Sequence, residues 1–513
     1  MAFERPGVYV RETPAQTQVS AQNSNTVAAF LGTALRGPTK PTLISSWSAY
    51  TSNFGPLSND YDLGYAVYQY FANGGRDAYV TRIAKSDATP ATSAPQGTPS
   101  GGSALALFTL SARSVGTWAN YSSGAGLRAV ITFDPSTLVS STSSTVVINS
   151  SSVFSLSLLL NGVEVERWQE LSLDPTSGRY IKDVLELFSN YVTSSTALTI
   201  TSGSTVTVTV SSNTTLLNAD FASGSEGTVA ISETDWDKAI KLHDTITSPL
   251  LINFVGQTTT TVVDKALDYA ASRADSFVII DCGLTANAGN LVTGYSANNK
   301  GYGALYFPAL KMADPARTGP AAVRTCYPGG AVAGAYVRSE ATRGVAKAPA
   351  GYSLDLRNVY GLSVTPTEAE QATLYNTKNV NVFRALPGGT FVINGARTLA
   401  TTSPNKFIPV RRTLNFLNSS LKQQTGFAVF EPNDERLWNK INNGLNQFLT
   451  NFWATGNLKG NSASEAFYII CDSTNNTPAS IADGIVNIEV GVSLLSPAEF
   501  VVINISQWAG NNA

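Results

Sequence analysis

Residues 249–281 read PLLINFVGQTTTTVVDKALDYAASRADSFVIID, and this stretch decides the fold class of the central part of the chain. Its two ends, 249–255 and 276–281, contain short runs that are almost entirely apolar, and the residues from Val262 to Ala274 between them have helical spacing. Strands that are apolar on both faces and alternate with helices are typical of a parallel sheet covered by helices on each side. The stretch therefore predicts an α/β domain.

A region rich in Ser and Thr precedes this domain and begins with the linker-like residues 88–102. It holds several alternating or β-branched runs, and one helix is predicted where Ile181, Val184, Leu185, Phe188 and Val192 share a face. The β signals lie at 128–134, 145–148, 153–160 and 205–210. A self-contained module of this kind, between two linkers, predicts an inserted antiparallel β-barrel or sandwich domain.

Two further blocks flank these parts. Residues 26–85 have a strand–helix–strand pattern, and residues after about 400 have helices followed by strands, so the two are predicted to form one α+β domain. In the second block, either Asn433 or Asp434, after Pro432, is predicted to be a helix N-cap, and Trp438 begins the apolar face of that helix.

Each end of the chain looks like a strand without a partner nearby in the sequence. Residues 7–12 form a short β-like run before a polar stretch, and residues 497–507 are largely β-branched. A lone strand presents unpaired N–H and C=O groups, so it must join a sheet, and a terminal strand can reach the sheet of another copy. The alternative, that the ends pair with each other or with the chain's own core, stays open.

The composition excludes several classes of partner. The chain has 513 residues, 34 Lys and Arg, 36 Asp and Glu, and a net charge of -2, so nothing in the balance favours nucleic acid or an anionic membrane. Charged residues make up 14% of the chain, which suits either a surface buried against partners or a Ser/Thr-rich β protein. Three scattered cysteines and no secretion-signal pattern predict folding in a reducing cytoplasm.

A hydrolase is the main enzymatic alternative. Asp235, Asp237 and Asp281 accompany the single histidine, His243, with serines downstream, and the order Asp, His, Ser occurs in subtilisin-type enzymes. However, His243 belongs to a helical segment, and no nucleophile elbow such as Gly-x-Ser-x-Gly is present. We therefore interpret His243 as a solvent-facing helical residue.

No other pattern predicts a chemical site. Asp281-Cys282-Gly283 ends a strand, where open α/β sheets often hold ligands, but no second acid, base or metal ligand accompanies it. The glycines from 283 to 303 match no phosphate loop, and neither a soft metal site nor a calcium loop is visible. The sequence thus predicts no catalytic residue, no cofactor and no metal.

One basic feature remains. Arg411, Arg412 and Lys422 lie on one helical stretch and could form a positive face for an acidic partner, with an ordinary solvated face as the alternative.

Several motifs, in order, resemble the tail sheath proteins of contractile bacteriophages and related contractile injection systems. The resemblance covers about 1–85 and 230–513, and the region 88–226 matches nothing in that family. The motifs include Pro6-Gly-Val-Tyr-Val-Arg-Glu12, Gly330-Ala-Val-Ala-Gly-Ala-Tyr336, Phe430-Glu-Pro-Asn-Asp-Glu-Arg-Leu-Trp438 and Pro497-Ala-Glu-Phe-Val501.

The resemblance implies a non-enzymatic subunit of a helical sheath around an inner tail tube, which shortens and widens to drive the tube through a cell envelope. It implies a subtilisin-like α/β core and a tube-facing α+β domain. The resulting domains are an N-terminal arm (1–25), an inner α+β domain (26–85 and 401–498), an outer insert (88–226), the subtilisin-like domain (227–400) and a C-terminal arm (499–513).

The resemblance also assigns residues and partners. The helix of Arg411, Arg412 and Lys422 becomes the candidate tube contact. Other implied partners are the chain itself, the tail tube, the baseplate and the tail terminator, with assembly in the host bacterial cytoplasm and a final place in the virion tail. The intersubunit strands would contain Val8, Tyr9, Val10, Arg11, Glu12, Glu499, Phe500, Val501, Val502, Ile503, Asn504 and Ile505.

Two other functions stay open. Activity that survives changes in the arms but is lost in His243→Ala would favour the hydrolase, and tubes of a single length and width would favour a static capsid or surface-layer protein.

Overall fold

The structure is a computed structural model that describes residues 26–195, 198, 200, 204–211, 214–295, 301–401 and 405–499. The chain divides into two compact units. We call them unit 1, which contains β1 up to Phe30, Tyr65–Tyr79 and the residues from His243 onward, and unit 2, which contains Leu31–Gly64 and Val80–Leu242.

The α-helices of the described residues are, in chain order, α1 (Trp47–Phe54), α2 (Leu63–Ala72), α3 (Ile181–Phe188), α4 (Glu233–Lys241), α5 (Thr260–Arg273), α6 (Gly329–Arg343), α7 (Glu368–Lys378), α8 (Ile408–Thr425), α9 (Glu435–Ala454), α10 (Ala463–Ala466) and α11 (Pro478–Ala482).

The strands are β1 (Val27–Gly32), β2 (Thr42–Ile44), β3 (Ala78–Arg82), β4 (Thr92–Ser93), β5 (Gln96–Pro99), β6 (Leu105–Ala106), β7 (Leu110–Ala112), β8 (Leu127–Phe133), β9 (Ser140–Ser141), β10 (Thr145–Ile148), β11 (Val153–Leu160), β12 (Val163–Ser172), β13 (Val192–Ser194), β14 (Val206–Thr209), β15 (Leu216–Asp220), β16 (Leu250–Phe254), β17 (Phe277–Ile280), β18 (Gly303–Phe307), β19 (Leu310–Ala313), β20 (Val323–Cys326), β21 (Asp355–Leu356), β22 (Val359–Leu362), β23 (Val380–Leu386), β24 (Thr390–Asn394), β25 (Phe467–Ile470) and β26 (Glu489–Val492).

The central sheet of unit 1 has the strand order β1-β16-β17-β18-β23-β24-β21. The pairs from β16 to β23 are parallel, and β24 returns antiparallel to β23. Every residue of β16, β17 and β18 is buried, as expected for strands with both faces covered by helices. The mixed α/β class predicted from 249–281 is confirmed.

Helices α2 and α6 approach each other closely in unit 1 because two glycines of α6 face α2. A Cβ atom on Gly330 would lie 2.0 Å from the Ala66 carbonyl oxygen, and one on Gly334 would lie 2.5 Å from that of Tyr70. Only hydrogen at these positions lets the two backbones meet, since packed interiors leave no spare volume. The glycines in 330–336 therefore have a packing role.

The Ser/Thr-rich region of unit 2 forms antiparallel sheets around one apolar core. Their orders are β12-β11-β8-β15, β6-β5-β14-β10-β9 and β13-β7-β4. Phe108, Phe133 and Phe154 lie in the core with the apolar face of α3. None of these sheets closes on itself within the described residues, so the structure shows no barrel.

The two ends of this region meet within unit 2. The Asp87 carboxylate accepts hydrogen bonds from the backbone N–H of Thr228 at 2.7 Å and of Val229 at 3.1 Å. Thr89 pairs with Ser225 in an antiparallel bridge. Entry and exit strands that meet in this way are typical of a domain inserted into another chain segment.

The C-terminal part of unit 1 packs α8 and α9 against the small sheet β25-β26. Asp434 caps α9 by accepting from the N–H groups of Arg436 and Leu437, each at 3.0 Å, as its sequence position predicted. The apolar face of α9, including Trp438 and Phe448, is buried.

Two Gly→Ala substitutions should have opposite effects on stability. Gly334→Ala should lower the free energy of unfolding by about 1–3 kcal/mol because the added methyl forces α6 away from α2. Gly444→Ala, in α9, should raise it by about 0.5–1 kcal/mol, since no atom lies within 4 Å of the added Cβ and alanine favours the helix. Urea unfolding of both variants measures the difference, and equal effects would contradict the close packing of α2 and α6.

Candidate functional site

The candidate functional site is the pair of described positions that border the predicted terminal arms, which we call the arm roots. Thr26 and Glu499 are the first and last described residues. Most of the predicted intersubunit strands lie outside the described residues, namely Val8, Tyr9, Val10, Arg11, Glu12, Phe500, Val501, Val502, Ile503, Asn504 and Ile505. Their pairing stays a prediction.

The C-terminal root is held by an ion pair of Glu499. Arg397 donates from Nε to one carboxylate oxygen at 3.0 Å and from Nη2 to the other at 2.7 Å. Tyr375 donates its hydroxyl to the same carboxylate, and its ring lies 4.0 Å from the Arg397 guanidinium carbon. The side chains of Arg397 and Glu499 are only 5% and 12% exposed, so water screens this two-pronged pair weakly.

These contacts change the pKa of Glu499. Burial alone would raise the pKa of its carboxyl group, but hydrogen bonds from Arg397 and Tyr375 outweigh burial and hold the pKa below its ordinary value. The same pair raises the pKa of Arg397. The pair is therefore ionised at neutral pH.

The N-terminal root is held by Glu340 of α6. Thr26 donates its hydroxyl to Oε1 of Glu340 at 2.9 Å, and Arg412 of α8 donates to Oε2 of the same carboxylate. The Arg412 guanidinium also lies 4.8 Å from the ring centre of Tyr336. One carboxylate thus connects the root of the N-terminal arm to two helices.

The prediction of an exposed basic face was wrong for Arg411 and Arg412. Both are buried, at 7% and 5% exposure, on the inward face of α8. Arg411 donates to Asn415 at 2.9 Å and lies 4.4 Å from the Tyr302 ring centre, and burial lowers its pKa. In the described conformation these two guanidinium groups offer no surface to a tail tube, whereas Lys422 is exposed.

The small sheet β25-β26 gives unit 1 a place for strand addition. It is antiparallel and, in the described part of the chain, has only these two strands, so each has one edge without a strand partner. Beside it, a groove is lined by Asn442 and Asn446 of α9 and by Phe467 to Ile469 of β25. Open sheet edges are the places where extended segments add as further strands.

The candidate hydrolase residues have structural roles. His243 is fully buried, with its ring 6.5 Å from that of Tyr79, so the interpretation as a solvent-facing residue was wrong. Asp281 accepts from the Asn253 side chain at 3.1 Å and from the backbone N–H of Gly329, at the start of α6, at 2.7 Å. Burial, and then the nearby Asp281, raise the pKa of the Cys282 thiol, which disfavours the reactive thiolate.

The other two acidic residues make contacts within or next to their own helix. Asp235 completes a capping box with Ser232 at the start of α4, and Asp237 pairs with Lys241 at 2.6 Å. Over the described residues no cluster of His, Cys, Asp and Glu could hold a metal ion. Among the described helices, none combines the length and the apolar character needed to cross a bilayer.

Sequence reasoning missed Arg397, Tyr375 and Glu340. Their partners are far away in the chain, so no local pattern marks them. It also did not predict the exposure of Phe430, which is fully exposed with a left-handed backbone (φ 68°).

Comparison with known proteins shows which families and structures this chain is similar to. Residues 400–507 match the phage tail sheath C-terminal domain family. The match shows a tail sheath C-terminal domain in this part of the chain. Its similarity to the tail sheath protein of Enterobacteria phage T4 is 29% identity over 156 residues, which is 29% of this chain and 22% of that protein. The chain thus matches about a fifth of the length of this curated relative.

Solved sheath structures share the fold over most of the chain. The helical sheath of the anti-feeding prophage in its contracted state has a TM-score of 0.57 at 19% identity, covering 99% of this chain and 100% of that one. The sheath tail protein of Listeria innocua has a TM-score of 0.60 at 11% identity, covering 88% of this chain and 89% of that one.

The C-terminal root should make stability depend on pH. Glu499→Gln should lower the free energy of unfolding by about 1–3 kcal/mol at pH 7, because it removes a charge from the Arg397 pair. Since the folded pKa of Glu499 lies below its unfolded value, its contribution is present above about pH 4.3 and disappears as pH falls through the folded pKa. Urea unfolding of both proteins from pH 7 to pH 3 measures this difference.

The exposed Glu431 provides the control, since Glu431→Gln should leave stability unchanged at every pH. A difference between wild type and Glu499→Gln that is constant down to pH 3 would contradict an ionised pair.

Proposed function

We propose that this protein is the subunit of a contractile sheath that polymerises helically around an inner tube and shortens to drive the tube through a cell envelope. The main support is the sheath fold, which extends over 99% of the chain in the likeness to the helical sheath of the anti-feeding prophage. The tail sheath domain at 400–507 supports the same function independently.

Strand exchange would connect the copies. In this proposal the segments at Val8–Glu12 and after Glu499 add to the open edges of β25-β26 in neighbouring copies. Backbone hydrogen bonds would supply affinity, and alternate side chains would supply specificity. Each root would fix where an arm starts, because its side chains are tied to unit 1.

Contraction would then be a change between two packings of one lattice. Such a change requires two states separated by a barrier, and the state that buries more intersubunit area supplies the free energy. Strand-exchanged arms keep neighbouring copies connected while the bodies move. The proposal needs no nucleotide hydrolysis in this chain.

The finer assignments belong to this proposal. The α/β domain is subtilisin-like, as its parallel strands and covering helices allow, and the insert is an outer β-sandwich. The proposal keeps the domain bounds predicted from the sequence, with 26–85 and 401–498 as the inner domain. It also keeps the exposed Lys422 as a tube contact. The partners would be the tail tube, the baseplate and the tail terminator, with assembly in the host cytoplasm and a place in the particle's tail.

An apolar tip between α8 and α9 is a further candidate for an intersubunit contact. It consists of Phe427, Val429 and Phe430, all exposed in the isolated chain. A phenylalanine with φ 68° is rare, because side chains other than Gly, Asn and Asp disfavour this region. Apolar side chains held outward in this way are typical of surfaces that become buried in an assembly.

Replacing residues 500–505 with a Gly-Ser segment of equal length should abolish tube formation. The arm would keep its reach but lose the β-branched side chains that favour strand addition. Negative-stain microscopy measures tubes, and the melting temperature reports that the subunit still folds. The same replacement at the six residues 508–513 is the matched control, and normal tubes from the first variant would contradict strand exchange by this arm.

Phe430→Asn should weaken tube formation without destabilising the subunit. Asparagine adopts the left-handed region more readily than phenylalanine, so the melting temperature should stay the same or rise. Phe188→Asn, at an exposed phenylalanine of the insert, is the control. The critical concentration for assembly, measured by sedimentation, should rise only for Phe430→Asn; an unchanged value would exclude the tip from the interface.

A static strand-exchanging polymer is the second candidate, since open sheet edges support it equally. Tubes of a single length and width under every condition would favour it.

A further inference from the structure

Both arm roots end in a partly buried carboxylate–arginine pair, and we propose that the two pairs act as one anchor that couples the N-terminal arm mechanically to the C-terminal arm. This inference rests on the proposed function. It adds a route for load through each subunit, which neither the sheath fold nor the tail sheath domain assigns.

The C-terminal half of the anchor is Glu499 with Arg397 and Tyr375. Arg397 uses two N–H groups for Glu499 and donates with Nη1 to the Tyr375 carbonyl oxygen at 2.9 Å. The guanidinium is thus fixed from two sides. A fork of two parallel hydrogen bonds resists rotation as well as separation, so residue 499 is held in position and direction.

In the N-terminal half of the anchor, one carboxylate accepts hydrogen bonds from two different groups. Glu340 holds Thr26 with one oxygen and Arg412 with the other. The next residue after Thr26 is also tied, since the Val27 N–H donates to the Pro249 carbonyl oxygen at 3.0 Å. Displacement of the arm at Thr26 therefore pulls on Glu340 and, through it, on Arg412.

The start of α8 connects the two halves. Ile408, its first residue, donates its N–H to the Ala396 carbonyl oxygen at 2.9 Å, directly beside Arg397. Arg412 lies one helical turn further along α8. The path from Glu499 to Thr26 therefore runs through Arg397, one backbone hydrogen bond, one turn of helix, Arg412 and Glu340.

The links of this path are short and partly shielded from water. The side chains of Arg397, Glu499, Arg412 and Glu340 are all less than a fifth exposed. Their attraction is stronger than that of surface pairs, because the surrounding dielectric constant is lower. Tension that enters at one arm would then be transmitted to the other.

Hydrogen exchange on the full-length, unassembled protein tests the anchor. Glu499→Gln should speed exchange of the Arg397 amide, which donates to the Asn381 side chain, by about tenfold or more, and it should also speed exchange at Ile408 and Val27. Glu340→Gln should act in the reverse direction, from Val27 to Ile408 and to Arg397. Faster exchange confined to the altered root would overturn the coupling.

Asp275→Asn is the matched control. Asp275 pairs with Arg273 at 2.7 Å in unit 1 and is 15% exposed, yet it touches neither root. It should leave exchange at Val27, Ile408 and Arg397 unchanged. If it speeds exchange at these amides as much as Glu499→Gln does, the effect is general loosening of unit 1, and the anchor is wrong.

Assembled material separates the anchor from the sheath itself. If wild-type protein forms no tubes, the proposed function fails, while the exchange result still decides the anchor. If tubes form, Glu340→Gln and Glu499→Gln should each lower the urea concentration that disperses them, and the double variant should be no worse than the more damaging single one. Fully additive effects would overturn a single shared path.

Discussion

A charged guanidinium cannot be buried without partners, and this constraint organises the structure. Charged residues are few, at 14% of the chain, yet several arginines lie inside. Arg397 and Arg412 form ion pairs with carboxylates in unit 1. In unit 2, Arg82 Nη2 lies 3.7 Å from Oε2 of Glu226. Arg36 lies 4.7 Å from the Tyr191 ring centre and donates to the Ser52 carbonyl oxygen at 3.1 Å. Each of these contacts joins segments that are distant in the sequence.

The distribution of these pairs fits the proposed sheath subunit, which would have to stay intact while its neighbours move. In unit 1 they fix the two arm roots to α6, α8 and the segment that follows β24. In unit 2 they tie the base of the insert, since Glu226 of the exit segment meets Arg82 of the entry segment. In the proposed anchor, a body held together at its points of attachment would transmit force with little local opening.

The errors of the sequence interpretation have the same origin. A pair of adjacent arginines followed by a lysine on a helix resembles a basic surface, and a histidine between helical residues resembles an exposed one. Only α8 packed against Tyr302, Tyr336 and Glu340 shows that Arg411 and Arg412 face inward. Periodicity shows which residues share a helix face, but the partner elements decide which face is buried.

The sequence by itself determined the mixed α/β class, the buried strands at 250–254 and 277–280, the β-rich insert and the cap of α9, because these depend on local periodicity and side-chain preference. Its ordered motifs also indicated the sheath family. Only the tertiary structure decided that Phe430 points into solvent, that Glu499 pairs with Arg397 and that Glu340 connects Thr26 to Arg412. The ion pairs join residues far apart in the chain, and no local rule of spacing specifies which distant group a buried charge will contact.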